Sequence, residues 1–239
     1  MGTPQKLRCR VANVIDHGER VYTLDLVPER PPAPRFKAGQ FLHLALDKYD
    51  PSDFWPESRV FSIASSSRER DSLRITYSVR GRYTARMEKE IVSGREVFIK
   101  MPYGEFSVNM HRQTVLIAGG TGITAFTSFL SDIPDQFKLP LTIVYGARER
   151  RLLIYRRLIE QCVQRVASTR AIYFLENADM LEENELSGQI SVTAARGYIP
   201  EIQDSDYYLS GPPLMLQTLA TQLHNMGVAA TAIFTDAWE

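Results

Sequence analysis

Two cysteines in 239 residues, Cys9 and Cys162, are too few and too far apart for a four-thiolate iron–sulfur cluster or a structural zinc site within one chain. Any redox chemistry here must use an organic cofactor. Histidine is scarce as well, and His17, His43, His111 and His224 show no metal-ligand spacing. No apolar run approaches the roughly 18 residues that a membrane-spanning helix needs. The start, Met1-Gly2-Thr3-Pro4-Gln5-Lys6, has no hydrophobic stretch resembling a signal peptide, and Lys6 stands where a myristoylation signal needs Ser or Thr. The expected location is the cytoplasm. Net charge is absent too: 28 basic side chains balance 28 acidic ones, which argues against nonspecific nucleic-acid binding.

What is present suits one large or two modest globular domains, with 44% hydrophobic residues and no low-complexity tract or repeat. Charge is uneven along the chain. Residues 1–110 carry 18 basic and 14 acidic side chains, whereas residues 111–239 carry 10 and 14. The residue pattern changes at the same place.

In the first part Leu73, Ile75, Tyr77 and Val79 alternate with polar residues, as do Tyr22, Leu24 and Leu26, the period of strands buried on one face. Further strands are expected at 7–14, 40–46, 59–64 and 96–101, between turns rich in Gly, Pro and Asp. Six short strands make a small antiparallel β-barrel. A helix is expected from Thr84, placed to cap it, to Ser93, with Gly94 ending it.

From Thr114 the texture becomes α/β. Val115-Leu116-Ile117-Ala118 and Leu141-Thr142-Ile143-Val144 are continuous apolar runs, as parallel strands covered on both faces require. Helical stripes follow at Ile154, Leu158, Cys162 and Val166, and at Leu216, Leu219, Leu223 and Met226 before Gly227. The expected architecture is an N-terminal six-stranded antiparallel β-barrel, residues 1–109, followed by a doubly wound parallel-sheet nucleotide-binding domain, residues 110–239.

Three constellations carry chemistry. Gly119-Gly120-Thr121-Gly122 lies between a strand and an apolar helical stretch, where missing Cβ atoms and helix-start N–H groups suit a pyrophosphate. It is not the G-x-G-x-x-G fingerprint, and a tight strand-to-helix turn would use the same glycines. Ser210-Gly211-Pro212-Pro213 follows the expected strand Tyr207 to Leu209, either as a second strand-end site or as a rigid helix start. Arg59-Val60-Phe61-Ser62 offers a guanidinium for a phosphate, an aromatic face for a planar heterocycle and a hydroxyl.

These motifs stand in one order along the chain, together with Ala38-Gly39-Gln40-Phe41, Gly81-Arg82-Tyr83-Thr84, Pro102-Tyr103-Gly104-Glu105-Phe106, Tyr145-Gly146-Ala147-Arg148 and an aromatic near the end. In that order the sequence resembles the ferredoxin-NADP reductase superfamily over essentially its whole length. The resemblance implies FAD on the barrel domain and NAD(P)H on the second. Arg59 is then expected at the flavin pyrophosphate, with Val60 beside it, Phe61 against the isoalloxazine and Ser62 toward its N5 edge. Tyr77 and Val79 border the same site, and Gly81, Arg82, Tyr83 and Thr84 hold the FAD phosphates. Gly120, Thr121 and Gly122 match the nicotinamide-nucleotide phosphate turn, Arg148 the adenosine ribose position, and Gly211, Pro212 and Pro213 the nicotinamide pocket. Ser62, Ser210 and Trp238 are the expected catalytic residues, with Trp238 covering the flavin. The flavin supplies the hydride chemistry, and the protein supplies position and exclusion of water.

Several positions depart from the family pattern. Phe61 replaces a usual tyrosine, Ser210 a frequent cysteine and Ala125 a frequent proline, and the segment Val79 to Thr84 is short. No iron–sulfur cysteines are appended, so electrons leave through a separate protein or small acceptor. Arg148, Arg150 and Arg151 could neutralise a coenzyme 2′-phosphate, whereas Glu176, Asp179, Glu182, Glu183 and Glu185 would repel one, which tilts the expectation to NADH. Two other readings stay open: a reductase that takes flavin as substrate, and an interaction subunit that keeps the fold without hydride transfer.

Overall fold

The computed structural model describes residues 3–50, 52–109 and 111–236. They form two compact units. One holds the residues up to Ser107 together with Thr124–Asp132, and the other holds Val108–Ile123 together with the residues from Ile133 onward.

The first unit is a six-stranded antiparallel sheet of β1 (Gln5–Asp16), β2 (Val21–Pro28), β3 (Phe41–Ala45), β4 (Ser58–Ser62), β5 (Leu73–Ser78) and β6 (Glu96–Tyr103), in the order β4-β3-β6-β1-β2-β5. It curls into a nearly closed barrel. Its edge strands approach where Ala64 N–H donates to Arg74 O at 2.8 Å and Arg74 N–H to Ser65 Oγ at 3.1 Å. Alternation puts Leu24, Leu26, Leu42, Leu44, Leu73, Ile75, Val97 and Ile99 into one core, where each buried side chain adds roughly 1.5–3 kcal/mol of hydrophobic stabilisation.

One end of that core is covered by Tyr83 and Met87 of α1 (Arg82–Glu90). This helix starts two residues before the expected Thr84 and ends before Ser93. The reason is local: the Thr84 hydroxyl reaches back and accepts from the Arg80 and Gly81 N–H groups at 2.9 and 3.1 Å, so Gly81 is the N-cap. Asp132, at the end of α2 (Thr124–Asp132), fastens α2 to the barrel loop 66–68 by accepting from Ser67 N–H at 2.9 Å and from the Ser66 and Ser67 hydroxyls.

The second unit is a six-stranded parallel sheet of β7 (Thr114–Gly119), β8 (Leu141–Ala147), β9 (Thr169–Leu175), β10 (Glu185–Ser187), β11 (Asp206–Ser210) and β12 (Ile233–Asp236). Its order is β10-β9-β8-β7-β11-β12. Val115, Ile117, Val144, Ile172, Tyr207 and Leu209 form one face, covered by α4 (Val192–Ala195) and α5 (Pro213–Asn225). On the other face α3 (Arg156–Arg165) lies over Tyr173, with Arg156 Cζ 4.8 Å from the ring centroid. The buried stripe of α3 is Ile159, Cys162 and Val166; Ile154 precedes the helix. Strand order reverses direction between β7 and β11, and crevices at the carboxyl ends of such a pair receive ligands in open α/β sheets. No helix among the described residues is long and apolar enough to cross a membrane.

Candidate active site

In the first unit the candidate residues gather at β4, β5 and the start of α1. Arg59 and Phe61 alternate with Val60 and Ser62 along β4, so the two pairs project from opposite faces of the strand. Arg59 is exposed. Its guanidinium lies 4.8 Å above the Tyr83 ring and is bonded to Glu57 at 3.0 Å and to Ser58 O at 2.8 Å. Tyr83 itself is buried. Its hydroxyl lies 2.9 and 3.2 Å from the Leu44 and Glu57 carbonyls and accepts from Leu46 N–H at 3.1 Å. Burial pushes that phenol up to about 12, so it stays a donor. Tyr83 therefore fixes both the segment carrying Glu57 and the platform beneath Arg59.

Phe61 is half-buried, with its ring 5.9 Å from Tyr77, which in turn stacks on Tyr22 at 5.6 Å. Burial raises the Tyr77 phenol well above its ordinary value. Val79 is half-buried beyond β5. At Gly81 an added Cβ would meet nothing within 4 Å, and the first-turn amides of Arg82, Tyr83 and Thr84 have no intrahelical acceptor. A guanidinium, a helix start beside open space and an aromatic face on one strand fit a pyrophosphate joined to a planar ring.

In the second unit Gly119 closes β7, and Gly120–Ile123 forms a turn of 3-10 helix that runs into α2. Ser210 closes β11, and Gly211 and Pro212 lead into α5 at Pro213. These two turns interlock. A Cβ on Gly122 would lie 2.5 Å from Ser210 O and 2.8 Å from Gly211 Cα; one on Gly119 would lie 2.5 Å from Met215 Sδ. Gly211 has φ +152°, and its Cβ position is 3.2 Å from Gly119 N. Backbone therefore lines the reversal point. Gly120, at φ +55°, borders open space, so its role is conformational.

Ser210 is 2% exposed and donates to Asp236 Oδ2 at 3.1 Å; Asp236, 4% exposed, is its register partner on β12. Sequence reasoning missed Asp236 as a site residue, since only the pairing of β11 with β12 brings it to Ser210. Arg148, just past β8, is exposed, whereas Arg150 is bonded to Glu185 and Arg151 to Glu149. Thr121 and Pro212 are half-buried and Pro213 is exposed. Trp238 lies outside the described residues.

Residues 116–221 match the oxidoreductase NAD-binding domain family. The chain is 24% identical over 209 residues to the terephthalate 1,2-dioxygenase reductase component 1 of Comamonas sp, covering 85% of this chain and 60% of that protein. It is 26% identical over 215 residues to the NAD(P)H-flavin reductase of Aliivibrio fischeri, covering 86% of each. The chain thus spans about 60% of the length of several reductase components that it matches. Among solved structures, a ferredoxin NADP+ reductase from Neisseria gonorrhoeae with bound FAD and NADP superposes with a TM-score of 0.78 at 19% identity, covering 99% of both chains.

Proposed function

We propose that this chain, which has the two-domain fold of the ferredoxin-NADP reductases and whose residues 116–221 belong to the oxidoreductase NAD-binding domain family, is an NAD(P)H-dependent flavoprotein reductase. Residues 1–109 would hold FAD and residues 110–239 the nicotinamide nucleotide. Electrons would pass to a separate protein, of the ferredoxin, flavodoxin or oxygenase kind, or to a small acceptor. A cytoplasmic location belongs to the same proposal.

One observation carries the reading: at the strand-order reversal the two turns meet backbone to backbone, leaving no room for a Cβ at Gly122. The interlock holds both glycine turns at the crevice where open α/β sheets take ligands, with Gly120 bordering open space beside the helix start.

FAD, when bound, supplies acceptance of hydride at N5 and onward release of electrons. The chain's own residues bind, orient and exclude water. Arg59 neutralises the flavin pyrophosphate together with the first-turn amides of Arg82 to Thr84, with Gly81 leaving room beside them. Phe61 offers its face to the ring, and Ser62 a hydrogen bond near its reactive edge. Gly120, Thr121 and Gly122 take the coenzyme pyrophosphate, and Arg148 lies toward its adenosine. Gly211, Pro212 and Pro213 shape the nicotinamide pocket. There Ser210, its proton turned to Asp236, presents oxygen lone pairs to the carboxamide. Trp238 is proposed as the aromatic cover over the flavin ring.

A second reading, a reductase taking flavin as substrate, is supported by the match to the Aliivibrio protein over 86% of both chains. Desalting the purified protein separates the two. Retained yellow colour supports bound FAD, whereas colourless protein that reduces added flavin with NADH supports the second. Protein inactive in both assays contradicts the proposal.

A further inference from the structure

In doubly wound folds the adenosine 2′ position is read at the end of the second strand, about 20 residues beyond the glycine turn, by an acid for a hydroxyl or an arginine for a phosphate. Here that place is the segment 148–151 after β8, and it carries Arg148, Arg150 and Arg151. The structure accounts for two of the three. Arg150 gives Nε and Nη2 to the two Glu185 oxygens at 2.9 and 2.7 Å, and Nη2 also reaches Met180 O at 2.7 Å. Arg151 is held by Glu149 at 2.7 Å.

Glu185 is placed to keep this grip. Its side chain is 0% exposed, at the start of β10 opposite Tyr173. It also takes Arg156 Nη1 at 2.7 Å, and accepts from Glu182 N–H at 2.9 Å. Arg156 is pinned in turn by Glu160, Glu182 and the Tyr173 ring. Glu182 and Glu185 are thus neutralised by arginines and do not act as free repelling charges. What the buried carboxylate leaves at the strand end is Arg148, which makes no ion pair among the described residues, and Arg151, in an exposed pair with Glu149, beside the acidic Glu176, whose amide is bonded to Ala147 O at 3.2 Å. Exposed guanidinium groups contribute little in water against the cost of desolvating a doubly charged phosphate.

We propose that Glu185 is a specificity-determining residue: its buried carboxylate withdraws Arg150 from the coenzyme's 2′ position, so that the chain favours a nicotinamide nucleotide with a free 2′-hydroxyl. The inference rests on the functional reading above and adds the determinant of coenzyme choice.

The test titrates the full-length protein with 5′-AMP and with adenosine 2′,5′-bisphosphate by calorimetry, alongside KM for NADH and NADPH. The native protein binds 5′-AMP at least as tightly as the bisphosphate. Glu185→Gln tightens the bisphosphate about tenfold and lowers the NADPH KM, leaving 5′-AMP and NADH in place. Arg150→Ala alone changes neither affinity, and added to Glu185→Gln it cancels the gain. Should Glu185→Gln fail to fold, Arg150→Ala decides: a silent result supports the inference, and weakened bisphosphate binding overturns it. An equal shift of both nucleotides in Glu185→Gln also overturns it, with 5′-AMP binding leaving the functional reading intact. Binding of neither nucleotide by the native protein overturns both.

Discussion

The Ser210 hydroxyl donates to the Asp236 carboxylate at 3.1 Å, with both side chains buried at the carboxyl ends of neighbouring parallel strands. The bond fixes the Ser210 proton. Ser210→Ala is expected to slow flavin reduction about tenfold while flavin content is unchanged. Asp236→Ala, which strips a buried hydroxyl of its acceptor, is expected to cost about 1–3 kcal/mol in urea denaturation. Stopped-flow rates and denaturation midpoints check the two effects separately.

Gly122 and Gly120 differ in what a side chain would meet. A methyl at Gly122 meets Ser210 O at 2.5 Å, so Gly122→Ala must spread the two turns, at about 1–3 kcal/mol. Coenzyme binding should weaken about tenfold or more. Gly120→Ala meets open space and carries only the cost of a left-handed φ, about 1–2 kcal/mol. Calorimetry with 5′-AMP should show the larger loss at Gly122.

Arg59 and Tyr83 separate ligand binding from scaffold. Arg59→Ala would remove the proposed charge-assisted contact to phosphate and should weaken flavin retention about tenfold to a hundredfold, with folding stability nearly unchanged. Tyr83→Phe keeps the ring beneath Arg59 but leaves Leu46 N–H without its acceptor. It should cost about 1–3 kcal/mol of stability while flavin retention is largely kept. Thermal melts and flavin content after desalting distinguish the two.

Acid should reveal Glu185. The bond to Arg150 holds its carboxyl down at about 2, against burial, which acts the other way, with the Glu182 amide and Arg156 adding to the lowering. Its contribution to stability is therefore complete above the pH where an unfolded glutamate ionises, near 4.5, and is lost as pH falls from there toward about 2. The drop in Tm between about pH 5 and about pH 3 should be steeper for the native protein than for Glu185→Gln.

Much of this was legible in the sequence. Period-two alternation located β2 and β5, turns rich in Gly, Pro and Asp bounded the other barrel strands, and continuous apolar runs located β7 and β8, because burial on one face or on both writes itself directly into residue order. The register of α1 did not: a threonine can cap from within the first turn as well as from before it, and Thr84 does the former. β10 and β12, with three and four residues, are too short to show a period. The glycine turns stood out as local motifs, whereas their contact through Gly122 and Ser210 depends on strand order. The same holds for Asp236 beside Ser210 and for Glu185 on Arg150: partners 26 and 35 residues apart meet only once the sheet is assembled.

Anaerobic stopped-flow mixing of the FAD-loaded protein with NADH, and separately with NADPH, tests the central claim most directly. The account predicts that the visible flavin absorption bleaches rapidly with at least one coenzyme, and that Gly122→Ala raises the coenzyme concentration needed for half-maximal rate. Flavin that stays oxidised with both coenzymes, in folded protein that binds FAD and 5′-AMP, would contradict it.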